Sequence, residues 1–454
     1  MTPRRLWCVV CASAVACHTP DIVVGDLQEM TVLRAIANRD LDLLFVIDNS
    51  PSMSSKQISL AENFPRMIDR LEQLDGGLPN LHLGVITSDM GTQGSAVATP
   101  GPGIGTVGQG GCAGVGDDGG LQHAGDPALV DGFVIDVAEP SGVRTRNYTG
   151  DLHDEFTRLA RVGAVGCGFE QHLAAMRRAF TNPANAGFVR PGANLAVVIL
   201  ADEDDCSLLD PALLGADPSL GPLQSFRCFE HGVVCDPDAP RTPGDKRGCR
   251  PRGDATLVAP VAPFVAALLA VKPDPRQVMV AGIIGPPEPV SVTLAPPPGG
   301  ITPVPLLAPS CVFDGAAGAE TADPAVRLAA FLDSFPGRTQ RTTICNGDLG
   351  SSLDAIGETA KRLVGDPCID TAALADTSPD PGVQPACDVT DVSDAAPDQP
   401  ISLPACSGAA AGDCYTLAPD TAACPDGDHL RLRLSRASAA DLGTWTHVRC
   451  QRAR

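Results

Sequence analysis

Two long apolar runs constrain the fold of this chain more than any other feature. Residues 43–47 (LLFVI) and 194–201 (NLAVVILA) are almost wholly apolar, and both have the length of a strand. Continuous apolar runs bounded by turn residues are typical of parallel strands that are covered on both faces. Ligands of open α/β sheets bind outside the carboxyl ends of such strands, so the residues that follow each run are the first candidates for a functional site.

Oxygen-bearing side chains follow the first run. Asp48, Ser50 and Ser52 supply one carboxylate and two hydroxyls, and such oxygens are the ligands that hard divalent cations prefer. Two further serines can cap a helix, and apolar residues then recur close to a 3.6-residue period over 57–74. The segment therefore predicts a strand, an oxygen-rich turn and a helix in succession.

The second run ends in Asp202, the first of the four consecutive acidic residues 202–205. If both strands are parallel, Asp202 lies at the same edge of the sheet as Asp48, and the two carboxylates serve one site. A solvated loop is the alternative interpretation of this acidic run, because adjacent carboxylates repel one another unless water or cations screen them.

The strand, the Asp-x-Ser-x-Ser spacing and the helix resemble the von Willebrand factor A (vWA, integrin I-like) family, whose metal-ion-dependent adhesion site (MIDAS) opens with these elements. The resemblance implies that Ser50 and Ser52 bind the metal directly. It implies further that Asp48 acts largely through water and that Asp202 completes the site. The cofactor would be Mg²⁺ (or Mn²⁺ or Ca²⁺), and an acidic side chain of a partner protein would fill an open position on the ion.

The threonine ligand of that family has no direct counterpart here. The matching turn is 165–173 (VGCGFEQHL), and counting back from its helix places Cys167 where the family has the threonine. Sulfur is a poor ligand for Mg²⁺, so we expect Cys167 to form a disulfide and Glu170 to take the threonine's place as a metal ligand.

Alternating strand and helix patterns over 41–365 predict one α/β domain. The fold class is a doubly wound, mostly parallel vWA-like sheet with one antiparallel edge strand. The predicted strands are 42–47, 81–87, 132–137 (the antiparallel edge), 194–200, 277–284 and 341–345, and the predicted helices lie near 54–74, 151–161, 169–180, 261–271, 323–335 and 351–363.

Three long insertions, 88–131, 203–254 and 285–321, follow strands that we predict to be parallel to the first. All three are therefore expected at the edge that carries the metal. We interpret them as a collar, braced by disulfides, that sets the choice of partner; the alternative is that they are surface insertions without a function. The cysteines that could pin these insertions include Cys112, Cys228, Cys235, Cys249 and Cys311.

The amino terminus predicts export. Residues 1–16 join a basic segment to an apolar one, as in a signal peptide, and 17–40 reads as a tether. Residues 14–17 (AVAC) resemble the lipobox of bacterial lipoproteins with Cys17 as the lipidated residue, and they equally fit cleavage by an ordinary signal peptidase. Only four of the 33 basic residues are lysine, which suggests a GC-rich bacterial genome. We expect an outer-membrane lipoprotein or cell-surface protein, or alternatively a secreted or periplasmic one.

Cysteines indicate an oxidising compartment. Of the 17 in the chain, 14 remain after the two in the signal and Cys17 are set aside, and they predict a disulfide framework. Over 366–454 the helical periodicity stops while cysteines recur, which predicts a small, strand-rich, disulfide-stapled unit. Residues 430–434 (LRLRL) alternate there as in a strand with one buried face.

Charge and missing motifs exclude several functions. The formal net charge of −21 argues against nucleic acid as a partner. No later segment approaches the ~20 apolar residues of a membrane span, so we expect membrane contact only through the lipid anchor. No Gly-x-Ser-x-Gly or His-Glu-x-x-His motif is present, and neither acidic motif contains a histidine, so we expect no enzyme activity.

The sequence thus predicts a metal-dependent protein-binding or adhesion protein of the bacterial cell envelope. Two alternatives remain open. In the first, the acidic edge holds Ca²⁺ as a permanent structural element and binds no partner. In the second, Asp48 and the acidic run hold a metal that hydrolyses a phosphate or peptide bond.

Overall fold

The computed structural model describes most of the chain after the predicted signal peptide. It covers residues 28–34, 38–74, 77–123, 129, 132–139, 141–296, 301–315, 318–365, 368–369, 374–377, 384–406, 412–420, 430–437, 440 and 444–453. The predicted signal peptide 1–16 and the predicted lipidation residue Cys17 lie outside the described residues.

Strands and helices alternate through the first two thirds of the chain, and strands predominate after that. The strands are β1 (Gln28–Arg34), β2 (Asp40–Ile47), β3 (Asn80–Thr87), β4 (Val134–Ala138), β5 (Arg144–Arg146), β6 (Asn194–Ala201), β7 (Val233–Val234), β8 (Gly244–Lys246), β9 (Arg250–Pro251), β10 (Val278–Ile284), β11 (Val290–Ala295), β12 (Val304–Ala308), β13 (Cys311–Gly315), β14 (Gly318–Ala322), β15 (Thr339–Thr343), β16 (Cys368–Ile369), β17 (Cys387–Ser393), β18 (Ala396–Leu403), β19 (Cys414–Pro419), β20 (Leu430–Ser435) and β21 (Thr444–Gln451). The α-helices are α1 (Ser54–Glu72), α2 (Leu152–Ala160), α3 (His172–Ala179), α4 (Phe226–Gly232), α5 (Ala262–Leu269), α6 (Val326–Asp333) and α7 (Gly350–Val364).

A mixed sheet of seven strands forms the centre of the molecule, in the order β15-β10-β6-β2-β3-β4-β5. The five strands from β15 to β3 are parallel to one another, whereas β4 and β5 are antiparallel to their neighbours. The prediction of an α/β fold with a mixed, mostly parallel sheet is confirmed.

The predicted antiparallel edge strand needs one correction. Strand β4 is antiparallel as expected, but it is not the edge, because β5 pairs with its outer side. The arginines of β5 hold the buried Asp136 of β4, with Arg144 Nε 2.5 Å from Oδ1 and Arg146 Nε 3.1 Å from Oδ2. A three-residue polar strand that is fixed by ion pairs has no apolar pattern, so the sequence did not reveal it.

Helices cover both faces of the sheet, and this explains the continuous apolar runs. Leu43, Phe45 and Ile47 of β2 pack against α1, α2 and α7, while Leu44 and Val46 point to the face that α3, α5 and α6 cover. A strand that is buried on both faces has no solvent side, so every position is apolar. The segment 43–47 therefore lies at the centre of the domain.

The long insertion 285–321 folds into strands. Strands β11 and β12 pair antiparallel, as do β13 and β14. The cysteines of the insertions form disulfides: two of these link an insertion to residues outside it, and two close loops within the insertion 203–254. The pairs are Cys112–Cys167, Cys206–Cys228, Cys235–Cys249 and Cys311–Cys345.

The C-terminal segment is rich in strands. Strand β1, which lies inside the predicted tether 17–40, pairs with β21 over seven residues, so this part of the tether is an element of the C-terminal sheet β1-β21-β17-β18. Arg276, just before β10, binds Asp394 at 2.7 Å and lies over the Trp445 ring. The C-terminal strands therefore contact the amino end of the central sheet. None of the described helices is long and apolar enough to cross a bilayer.

Candidate metal centre

Strands β2 and β6 deliver the two predicted acidic motifs to the same edge of the sheet. Ile47 pairs with Leu200, and the backbone N–H of Asp48 donates a 3.0 Å hydrogen bond to the carbonyl oxygen of Leu200. Asp48 follows the last residue of β2, and Asp202 follows the last residue of β6. The parallel register thus fixes the two carboxylates side by side at the carboxyl ends of the strands.

The Asp-x-Ser-x-Ser turn is tightly folded around Asp48. Its Oδ1 atom accepts a 2.7 Å hydrogen bond from the backbone N–H of Ser50, and the hydroxyl oxygens of Ser50 and Ser52 lie 3.1 Å apart. The Ser50 side chain is buried, whereas Ser52 is exposed. Ser52 also lies close enough to Asp202 to lower the pKa of that carboxyl group, although burial outweighs this effect. The turn brings both hydroxyls beside the two carboxylates.

Two buried carboxylate oxygens at this edge have no hydrogen-bond donor. Among the described residues, none donates to Asp48 Oδ2 or to Asp202 Oδ1, although both side chains are almost fully buried. Leaving a buried charged oxygen without a partner costs on the order of 1–3 kcal/mol or more, and native proteins rarely leave such atoms unpaired. These two oxygens, with the two serine hydroxyls, fit a hard cation as ligands.

Glu170 joins the same group of acids. Its side chain is 2% exposed, and burial, followed by the charges of Glu203 and Asp48, raises its pKa well above the usual range. Burial and the charge of Asp323 raise the pKa of Glu203 in the same way. Burial, and then the charge of Asp48, also raises the pKa of Asp202. The structure therefore concentrates acidic groups here, and burial together with their mutual repulsion makes Glu170, Asp202 and Glu203 hold their protons more strongly.

Lys56 was not predicted as part of this site. It lies in the first turn of α1, is 5% exposed, and places Nζ 2.9 Å from Asp202 Oδ2 and 3.3 Å from Glu320 Oε2. The carbonyl oxygen of Ser52 accepts a further hydrogen bond from Nζ at 3.1 Å. Lys56, one of the four lysines of the chain, thus contacts the acidic group at this edge.

His172, the first residue of α3, was also missed. It is fully buried, and its Nε2 lies 3.7 Å from Asp48 Oδ2, which is an ion-pair separation rather than a hydrogen bond. Burial lowers the pKa of the imidazole, but the Asp48 carboxylate and the charges of Asp205 and Asp204 together outweigh it, so the pKa is raised overall. It lies in the turn that was matched to the family's threonine ligand, 124 residues beyond Asp48 in the chain, and no local spacing links the two.

The rest of the acidic run has structural roles. Asp204 accepts hydrogen bonds from the backbone N–H groups of Arg327 and Leu328 at the start of α6. Asp205 is fully buried and pairs with the buried Arg327 guanidinium at 2.9 Å. The acidic run is therefore not a solvated loop, and two of its four carboxylates hold neighbouring elements in place.

Cys167 is withdrawn from metal binding by its disulfide with Cys112, as the sequence predicted. The same turn lies directly against the motif. The Gly166 N–H donates to the Asn49 carbonyl oxygen at 2.9 Å, and a Cβ at Gly166 would come within 2.3 Å of Asn49 Oδ1. Glycine is required here by the close approach of the two segments.

A cavity of about 210 Å³ lies beside the acidic group. Glu170, Glu203 and Asp323 line one side, and apolar side chains that include Phe226 and Leu307 line the other. Burial, and then the charges of Asp202 and Asp204, raises the pKa of Asp323 to about 7. The insertions thus contribute apolar walls to the acidic edge.

A second group of potential ligands lies elsewhere. Asp151, His153 and Asp154 each offer one potential ligand atom, and these three atoms lie within 4.8 Å of one another. Asp151 and Asp154 are exposed at the start of α2, and Asp151 Oδ1 caps the helix by accepting from the Asp154 N–H at 2.7 Å. Capping accounts for the position of Asp151.

No protein-family model matches the chain, and no curated protein matches it. Among solved structures, a von Willebrand factor type A protein from Catenulispora acidiphila is similar with 12% identity and a TM-score of 0.29, over 94% of this chain and 65% of that one. The pilus adhesin RrgA from Streptococcus pneumoniae is similar with 13% identity and a TM-score of 0.28, over 93% of this chain and 57% of that one. This chain thus spans less than two thirds of either protein's length.

Proposed function

We propose that this chain is a metal-dependent protein-binding or adhesion protein of the bacterial cell envelope, with a MIDAS-like site at the carboxyl ends of β2 and β6. The observation that carries the proposal is the pair of buried carboxylate oxygens without donors, Asp48 Oδ2 and Asp202 Oδ1, on neighbouring parallel strands. Burying two such atoms together is costly unless a cation shares them.

The residues present fit a hard divalent cation. Ser50, Ser52 and Asp202 would hold Mg²⁺ (or Mn²⁺ or Ca²⁺) directly, with Asp48 beside them and Glu170 as a fifth group. All of these offer oxygen, and the sulfurs of Cys167 and Cys206 are engaged in disulfides. A bound cation would supply a positive centre for an acidic side chain of a protein partner.

Exposed apolar side chains near the motif support a protein as the partner. Val107 and Val165 are 67% and 56% exposed. The Val165 carbonyl oxygen accepts a hydrogen bond from Gly110, and Gly110 lies against Pro51 of the metal motif. Exposed apolar side chains beside polar ones are a common feature of protein interfaces.

Binding without catalysis is part of the proposal. His172 lies 3.7 Å from Asp48, but its side chain is fully buried, so it is not placed to exchange protons with a substrate. This arrangement favours adhesion over metal-dependent hydrolysis.

The proposed location is the outside of a bacterial cell, with a lipid at Cys17 as the only membrane attachment and no nucleic acid partner. The described residues contain six complete disulfides, which indicates a chain that folds in an oxidising compartment. The net charge of −21 supports a partner other than nucleic acid.

Selection from a peptide-display library tests the proposal. The chain lacking residues 1–17 is immobilised, peptides are bound in Mg²⁺ and eluted with EDTA, and the eluted pool is sequenced. We expect the pool to be enriched in Asp and Glu, and each peptide to lose binding when its acidic residue is changed to the amide. Peptides that remain bound in EDTA, or that tolerate the amide, would contradict a metal-mediated interaction.

A further inference from the structure

The contact with Lys56 makes the two carboxylate oxygens of Asp202 unequal. Its Nζ lies 2.9 Å from Oδ2, whereas Oδ1 is buried without a donor among the described residues. The lysine is 5% exposed and reaches the edge from the first turn of α1. One oxygen of Asp202 is thus held by a charge that belongs to the protein, and the other is left for a ligand.

Several contacts fix the ammonium in this position. Besides Asp202, it contacts the Ser52 carbonyl oxygen at 3.1 Å and Glu320 at 3.3 Å. Glu320 belongs to β14, and the ring of Phe313 in the paired strand β13 lies 6.0 Å from Nζ. The hairpin β13–β14 therefore packs against Lys56 and keeps it buried beside the metal motif.

The positive charge of Lys56 affects how the proposed site binds a cation. Asp48 and Asp202 follow neighbouring parallel strands, and Glu170 and Glu203 line the cavity beside them, so four carboxylates are gathered at this edge. Two basic side chains contact this group through described ion pairs: Lys56 pairs with Asp202, and His172 lies 3.7 Å from Asp48. Of the two, Lys56 is the one that contacts Asp202, a proposed direct ligand. A unit positive charge one contact away from a ligand oxygen repels an incoming cation, and this repulsion is strong because the site is buried.

We infer that Lys56 is a tethered cation that positions Asp202, stabilises the metal-free site and lowers its affinity for divalent ions, so that the metal site loads reversibly. This inference rests on the proposed function. It assigns to Lys56 a role in setting affinity, in addition to the ligands themselves.

The experiment compares Mn²⁺ binding, by isothermal titration calorimetry, in the parent chain and in Lys56→Met. Removing the charge is expected to tighten Mn²⁺ binding by at least about tenfold. Metal-free Lys56→Met is expected to melt at a lower temperature than the metal-free parent. Saturating Mn²⁺ is expected to raise the melting temperature of Lys56→Met by more than it raises that of the parent. Lys56→Arg keeps the charge, and its affinity should stay within about threefold of the parent.

Lys272→Met is the matched control. Lys272 is also buried and pairs with Asp42 at 2.8 Å, but it lies at the opposite end of the sheet. Its loss should lower the melting temperature while leaving the affinity for Mn²⁺ unchanged. If Lys56→Met does not fold, Lys56→Gln, which retains a donor for Asp202 without the charge, should give the same tightening.

The outcomes separate the two proposals. If the parent binds Mn²⁺ and the neutral variants bind it equally well or more weakly, the role of Lys56 is overturned and the metal site stands. If neither the parent nor any Lys56 variant binds Mn²⁺, the proposed function itself is overturned.

Discussion

The backbone N–H of Asp48 donates a 3.0 Å hydrogen bond to the carbonyl oxygen of Leu200. This bond extends the parallel β2–β6 ladder by one step beyond the last paired residues, Ile47 and Leu200. It therefore carries the register of the sheet into the two acidic turns. The Ser50 hydroxyl lies 3.1 Å from the Ser52 hydroxyl, and Ser52 is close enough to Asp202 to affect the pKa of that carboxyl group, so the two turns meet at this edge.

The first prediction concerns the proposed ligands. Ser50→Ala and Asp202→Asn should each weaken Mn²⁺ binding by about tenfold or more, because each removes an oxygen or a charge that a hard cation uses. Calorimetric titration measures this. Ser59→Ala on α1, where the hydroxyl contacts only a carbonyl oxygen at 3.4 Å, is the control and should bind Mn²⁺ like the parent. Equal affinity in all three variants would exclude Ser50 and Asp202 as ligands.

The second prediction concerns the buried Arg327–Asp205 pair. Arg327→Met should lower the free energy of unfolding by about 3–5 kcal/mol, because it leaves the Asp205 carboxylate buried without its cation. Urea unfolding measures the loss. Arg341→Met removes an exposed pair with Asp333 and should change stability by less than about 1 kcal/mol. If both variants lost a similar amount of unfolding free energy, the larger contribution expected of the buried pair would be contradicted.

The third prediction concerns pH. The pKa of Asp323 is raised to about 7 from a usual value of 3.8, mainly by burial, so the folded chain holds a proton that the unfolded chain releases. Its contribution to the free energy of unfolding is therefore fully present below pH 3.8 and is lost as the pH rises to about 7. Asp323→Asn should gain stability relative to the parent between pH 5 and pH 8, as measured by urea unfolding in EDTA. A difference that does not change with pH would contradict the raised pKa.

The fourth prediction concerns the disulfides of the insertions. Replacing Cys112 and Cys167 with serine should lower the free energy of unfolding by about 2–5 kcal/mol, since the closed loop spans 55 residues. It should also weaken Mn²⁺ binding, because the turn beside Asn49 loses its anchor. The control replaces Cys235 and Cys249, which close a loop of 14 residues away from the motif. The control should leave Mn²⁺ binding unchanged; a loss of binding in the control as large as in the first variant would contradict the assigned role of the turn.

The central sheet was predictable because burial on both faces leaves a plain signal. The apolar runs that became β2 and β6 could form only covered strands, and the helices α1 and α7 followed from their periodicity. The same argument placed Asp48 and Asp202 at one edge. What the sequence does not show is β5, whose three polar residues are fixed by Asp136, and β1, whose partner lies more than 400 residues along the chain.

The missed site residues have a common physical reason. Lys56 lies on an amphipathic helix, where a lysine normally faces water, but here it is buried in contact with Asp202 and with Glu320 of the hairpin β13–β14. His172 was read as part of a turn because its partner Asp48 is distant in sequence. In both cases a tertiary contact decides the role of the residue, and no local pattern encodes that contact.

Anomalous diffraction from crystals soaked in Mn²⁺ tests the central claim most directly. We predict an anomalous peak at the carboxyl ends of β2 and β6, in contact with oxygens of Ser50, Ser52 and Asp202. No peak at that edge, or a peak only at the exposed group Asp151, His153 and Asp154, would contradict the account.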